Sequence, residues 1–214
     1  MKANISEILS KQVNKELYSA YLYLEFQNIF NDRGLQGFAH WYMIQTQEER
    51  DHAMLFYQYL QHNNQKVVLE AVEKPVTSAS SILEILEAAL AHEEYITASI
   101  NDIYELALRE KDYRTKEFLD WFVKEQGEEE ANAQALIDKV KFLGEDPKNI
   151  YLLDQELAAR PEERNALVVI SDGLDDSLEG KPAPLPFARL RRAAPYMPVL
   201  IYPVYLDSRH ILYG

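Results

Sequence analysis

The stretch QEERDHAMLFYQYL, residues 47–60, decides the fold. It sets Glu49 and His52 three residues apart, hence on one face of a helix, and continues that face with Phe56 and Leu60. A carboxylate on an apolar face is costly to bury unless a positive charge meets it. Three other helical stretches carry matching residues near their middles: Glu16 in the first, Glu93 in the third, and Gln126 with Glu129, again three apart, in the fourth.

Periodicity of apolar residues predicts these helices over roughly 5–32, 35–62, 81–111 and 113–142, with a short fifth helix around 148–158. Breakers fall between them at Asp32-Arg33-Gly34, Lys111-Asp112-Tyr113 and Gly144–Pro147. The segment from Asn63 to Ser80 is longer than an ordinary connection. A helix of about 28 residues is about 42 Å long, and about 17 extended residues reach about 55 Å. The segment therefore suffices to run back along a bundle, leaving the second and third helices parallel. The predicted fold is all-α: a four-helix bundle with one long crossover, the ferritin-like connectivity, in which Glu residues and Glu-x-x-His pairs from facing helices hold two metal ions.

On the inward seam the sequence sets Leu9, Val13, Ala20 and Leu24 around Glu16, and Phe38, Tyr42, Phe56 and Leu60 around the Glu49/His52 pair. Leu86, Leu90, Ile96 and Ile100 surround Glu93, while Phe118, Phe122, Ala133 and Ile137 surround Gln126 and Glu129. No lysine or arginine shares that seam, so the carboxylates call for cations. Tyr23, seven residues after Glu16, falls on the same face. His40, His62, His92 and His210 are expected to be ordinary packed or surface side chains. Glu48, Glu125 and Glu128 stand between a solvated face and an accessory metal site.

Oxygen ligands with one imidazole suit Fe(II) better than copper or a thiolate-preferring metal. Two adjacent irons supply two electrons to O2 or peroxide together. Neutral Gln126 leaves the second iron more loosely held. The chain has 22 Lys+Arg against 35 Asp+Glu, a net charge of −13, and no cysteine. That balance repels nucleic acid and anionic membranes, favours cation handling, and excludes disulfides and thiolate sites. With neither a signal-peptide pattern nor a membrane-length apolar run, the expected location is the cytoplasm.

Residues 1–160 resemble a bacterial non-haem ferritin, through NKELYSAYLYLEF (14–26), QEERDHAMLFYQYL (47–60), EKDYRTKEFLDWFVKEQGEEEANA (110–133) and YLLDQELAAR (151–160). The resemblance implies a ferroxidase centre with Glu16, Glu49 and His52 on a first iron, Glu49 bridging, and Glu93 and Glu129 on a second with Gln126 close by. It further implies a third, transit iron on Glu48, Glu125, Glu128 and Glu129, a tyrosine beside the centre at Tyr23, and a hollow homo-oligomer of twenty-four subunits storing mineral. Bacterioferritin-like chains instead have Glu-x-x-His on the fourth helix and a haem-binding methionine. Here Gln126 and Glu129 stand on that helix and Arg50 at the methionine position, so no haem is expected. The other class of function is a di-iron oxygenase or peroxidase acting on an organic substrate. Iron accumulation far beyond two per subunit distinguishes storage from it.

The chain changes character near Arg160, since seven of its nine prolines lie from Pro161 onward. Residues 161–214 read either as a poorly ordered, accessory tail or as a separate extension in β-α-β order: strand Ala166 to Ile170, helix Phe187 to Ala194, strand Val199 to Leu206. NALVVISDGLDDS and FARLRRAAPYMPVLIYPVYLD resemble part of a von Willebrand factor A-like domain. The Asp-x-Ser-x-Ser metal loop of that family is absent from this chain, so no metal is assigned there.

Overall fold

The computed structural model describes residues 1–76, 79–159, 165–171 and 199–205. The chain divides into two units, Met1–Arg160 and Pro161–Gly214. In the first, α1 (Ala3–Asp32), α2 (Gln36–His62), α3 (Ile82–Arg109) and α4 (Tyr113–Leu143) form the bundle, and α5 (Pro147–Ala158) follows. Helix α1 packs on α2, α3 on α4, and α1 on α3.

Local chemistry sets the ends. After α1, Gly34 takes φ 74°, and Leu35 N–H reaches back to the Phe30 carbonyl at 3.0 Å. This is a glycine-closed helix end, and a side chain with a Cβ would be strained there. Lys111 closes α3 in the same way with φ 57°, and Asp112 N–H donates to the Ala107 carbonyl at 2.8 Å. Ser81 and Glu84 form a reciprocal cap on α3. Asp112 accepts from Thr115 N–H at the start of α4, and Asp146 caps α5 ahead of Pro147.

Helix α5 buries Ile150, Leu153 and Leu157 in the core and docks on α2 through a substitution-intolerant contact. Gly37, in the first turn of α2, lies so close to α5 that a Cβ would sit 1.8 Å from the Asp154 carbonyl oxygen. The buried Asp154 carboxylate accepts from Gly37 N–H at 2.7 Å and Phe38 N–H at 3.0 Å. Leu35 at the N-cap provides no such acceptor, so a side chain distant in sequence satisfies the free amides.

The crossover follows α1. Val68 N–H donates to Ser10 Oγ at 2.8 Å, Glu70 N–H donates to Asn14 Oδ1 at 2.8 Å, and Asn14 Nδ2 donates to the Val68 carbonyl at 2.9 Å. At the far end Arg33 donates to the Ser80 carbonyl at 3.1 Å. The connection thus passes along α1 from its first turns to its last, and α2 and α3 run parallel as predicted.

Two apolar clusters occupy the interior. One contains Tyr23, Phe26, Phe30, Phe38, Leu86 and Ile137, the other Leu9, Val13, Phe56, Ile96, Leu119 and Phe122. In every one of the four helices the candidate ligands fall between the residues given to the first cluster and those given to the second. The result is a polar layer enclosed by two apolar ones.

The predicted seam needs correction on α1. Leu24 is exposed and Ala20 only half-buried. At about 100° per residue Leu24 has rotated about 80° from Glu16, whereas Ser19, Tyr23, Phe26 and Phe30 lie on the other side of Glu16 and are buried. Leu90, Phe118 and Ala133 are likewise half-buried rather than central.

In the second unit, β1 (Asn165–Ser171) pairs in parallel with β2 (Val199–Tyr205), Asn165 opposite Val199 and Ser171 opposite Tyr205. These strands match the predicted pair to within a residue. The helix predicted between them lies outside the described residues, as do Asp172, Gly173 and His210.

Candidate metal centre

Glu16, Glu49, His52, Glu93, Gln126 and Glu129 are all buried at the middle level of the bundle. Glu16, Glu49 and His52 each bring one ligand atom within 4.8 Å of the others. Among the described residues, no other group of three His, Asp or Glu meets so closely. Glu16 Oε2, Glu49 Oε1 and His52 Nδ1 are buried without a hydrogen-bond partner. His52 Nδ1 stands 3.6 Å from Glu49 Oε2, too far for a hydrogen bond. Buried polar atoms almost always find partners, and these three bare ligand atoms, brought together, could hold a cation.

The other half of the layer is closed by hydrogen bonds. Tyr23 O–H donates to Glu93 Oε1, and Gln126 Nε2 donates to Glu93 Oε2 at 3.0 Å. Gln45 Nε2 donates to Glu129 Oε2 at 3.0 Å. A cavity of about 20 Å³ adjoins these groups, bordered by Tyr23, Tyr42, Gln45, Glu93, Glu129 and Asn132. Its size admits one water molecule, and its walls offer the polar partners that a water needs. A second cation here would replace existing hydrogen bonds, whereas the first would meet bare atoms.

Burial dominates the electrostatics. It pushes the carboxyls of Glu16, Glu49 and Glu129 well above the ordinary carboxylate range. Their mutual repulsion adds to the shift: Glu49 raises Glu16, and Glu93 raises both Glu49 and Glu129. Burial also raises Glu93, opposed by the hydrogen bonds from Tyr23 and Gln126. The Tyr23 phenol, raised by burial and then by Glu93, stays protonated and remains a donor. Carboxyls so raised hold protons when the layer lacks cations and release them when a cation arrives.

The flanking acids are less enclosed. Glu48 and Glu125 are half-buried, and Glu125 is raised chiefly by burial. Glu128 is exposed and pairs with Lys124 at 3.1 Å. Glu48 and Glu125 both raise Glu49 and Glu129, which places them in the field of the layer. Arg50 is exposed beside Asp51. His92 is an ordinary packed side chain: Nε2 lies 2.8 Å from Ser19 Oγ, and burial lowers its pKa to about 4.

Sequence reasoning missed Gln12 and Gln45. Gln12 is fully buried and donates from Nε2 to Glu16 Oε1 at 2.9 Å. Each glutamine stands four residues before a candidate ligand, Gln12 before Glu16 and Gln45 before Glu49. That spacing sets them on the ligand face and was the available signal.

Fold and layer together define a carboxylate-lined four-helix bundle with a single crossover. The model of the ferritin-like domain matches residues 6–143. The chain belongs to the ferritin family. It is 37% identical over 155 residues to the bacterial non-heme ferritin of Campylobacter jejuni, covering 72% of this chain and 93% of that one. It is 37% identical over 160 residues to the bacterial non-heme ferritin of Staphylococcus saprophyticus, covering 75% and 96%. Among solved structures, the open pore ferritin of the hyperthermophilic archaeon Archaeoglobus fulgidus superposes with a TM-score of 0.73 at 40% identity, covering 75% of this chain and 98% of that one. These matches leave about a quarter of the chain uncovered, and no helix among the described residues is long and apolar enough to cross a membrane.

Proposed function

We propose that this chain stores iron, oxidising Fe(II) at the buried carboxylate layer and passing Fe(III) to a mineral. The observation that carries this reading is the trio of bare, buried ligand atoms on Glu16, Glu49 and His52. Iron is the substrate. The first Fe(II) enters there, with Glu49 shared toward a second on Glu93 and Glu129, and Gln126 beside it. Each Fe(II) gives up one electron. The pair reduces H2O2 and two protons to two waters, or O2 and two protons to H2O2. Two metal ions side by side share the charge that develops on the oxidant.

Entry of the first iron requires the raised Glu16 and Glu49 carboxyls to give up protons, so binding strengthens as pH rises. Entry of the second requires Glu93 to exchange its hydrogen bonds from Tyr23 and Gln126 for the metal. Neutral Gln126 adds no charge to that half, which favours release of the oxidised product. Glu48, Glu125 and Glu128, with Glu129, form the transit site by which iron leaves. The reading extends to a homo-oligomeric shell of twenty-four subunits in the cytoplasm, without haem, nucleic acid or membrane partners.

The test measures Fe(II) oxidation by stopped-flow absorbance, together with the iron retained per subunit after repeated additions. Glu16→Ala and His52→Ala are expected to lose the fast phase while keeping their helical content. Parent-like rates in either variant would refute the first-iron assignment. Retention fixed at about two irons per subunit, the capacity of a two-metal centre alone, would refute storage.

A further inference from the structure

Glu16 is approached from the side away from the other carboxylates by a file of hydrogen bonds that starts at a cation. Lys15 Nζ donates to Ser99 Oγ at 2.6 Å, Ser99 Oγ donates to Gln12 Oε1 at 2.6 Å, and Gln12 Nε2 donates to Glu16 Oε1 at 2.9 Å. Gln12, Ser99 and Glu16 are buried. Lys15 is half-buried, its Nζ 4.8 Å above the Tyr95 ring.

The direction of this file follows from donor chemistry. An ammonium has only donors, so Ser99 Oγ must accept from Lys15. Its single proton is then free to go to Gln12. With that proton on Gln12 Oε1, the amide turns its NH2 toward Glu16 Oε1. The amide's two ends have nearly the same shape, so packing alone does not choose between them. The cation chooses. Reversed, the amide would set its oxygen against the Glu16 carboxylate, two acceptors facing each other in a buried site.

We propose that Lys15, acting through Ser99 and Gln12, is a positioning residue that holds Glu16 as a one-oxygen ligand: Oε1 is committed to Gln12 and Oε2 is turned bare toward the metal. The consequence is a bias toward one-oxygen coordination at the first site, since Oε1 already accepts from Gln12 while Oε2 has no partner. Groups that orient a ligand in this way commonly govern metal affinity by tenfold or more. The inference rests on the assignment of Glu16 to the metal, so the experiment includes a control for that assignment.

Co(II) is titrated anaerobically into the metal-free full chain and followed by its visible absorption, whose intensity reports coordination number. Ser99→Ala and Lys15→Met are expected to weaken the first Co(II) by about tenfold and to change its band intensity. Lys15→Arg, which keeps a donor-only cation, and Ser99→Thr, which keeps the hydroxyl, are expected to restore both. Circular dichroism monitors the fold; should Ser99→Ala unfold, the Lys15 pair decides alone. Parent-like affinity and spectrum in Lys15→Met and Ser99→Ala, with Glu16→Ala defective, would overturn the positioning role and leave the site intact. Parent-like binding in Glu16→Ala would instead remove Glu16 from the site and the proposal with it.

Discussion

Glu16→Gln separates the needs of iron binding from those of the fold. In the metal-free protein, burial and then Glu49 hold the Glu16 carboxyl well above its ordinary value of 4.5. A carboxyl raised in the folded state contributes its full stability below 4.5. That contribution is lost as pH rises from 4.5 toward the folded value, because folding then requires proton uptake. Each pH unit in that interval is worth about 1.36 kcal/mol. A glutamine side chain has the same shape and is neutral without proton uptake. The metal-free variant is therefore expected to be more stable than the parent at neutral pH, with the gain vanishing as pH approaches 4.5. The assay is urea unfolding of both metal-free proteins at equal subunit concentration, because assembly shifts the midpoint by mass action. Fast Fe(II) oxidation is expected to fail in the same variant. A gain independent of pH, or no gain at neutral pH, would falsify the account of Glu16 as a carboxyl strained by burial.

Further expectations concern the scaffold. Asp154→Ala removes the acceptor for two buried N–H groups, Gly37 and Phe38; at about 1–3 kcal/mol for each orphaned donor the expected loss is about 2–4 kcal/mol by denaturant unfolding, and a loss below about 0.5 kcal/mol would show that α5 does not cap α2. Gly127, inside α4, has no atom within 4 Å of where a Cβ would stand, so Gly127→Ala is expected to raise stability by about 0.5–1 kcal/mol in the same assay, and a decrease would contradict the open space. His92 is neutral in the fold with a pKa of about 4 against 6.5 when unfolded. Its contribution is complete above 6.5 and is lost as pH falls from 6.5 toward 4, so His92→Gln is expected to flatten that acid-side fall in melting temperature; an unchanged slope would reject a neutral buried imidazole.

Much of the bundle was legible because apolar periodicity and breakers act locally. Asp32-Arg33-Gly34 ends α1 through a positive-φ glycine, and the long segment before Ser81 had no role except a return along the bundle. The candidate ligands were legible for another reason: a carboxylate on an apolar stripe is conspicuous. Gln12, Gln45 and Ser99 carry no charge and look like ordinary helix residues, so their place in the layer appears only when neighbouring helices come together. Asp154 was hidden in the same way, since its partners at Gly37 and Phe38 are more than a hundred residues away. The Leu24 error came from extending a four-residue step too far, which drifts by about 40° each time.

The pinned crossover also acts as a caliper. From Val68 to Ser80 the chain has a maximum reach of about 40 Å, and the stretch of α1 from Ser10 to Arg33 that it accompanies is about 35 Å long. With so little slack, deleting two residues would leave the strap too short and draw the α3–α4 hairpin out of step with the α1–α2 hairpin. Extra residues are tolerable here and missing ones are not. The vertical alignment of Glu93 and Glu129 with Glu16 and Glu49 is thus measured out by a piece of backbone that carries none of the ligands.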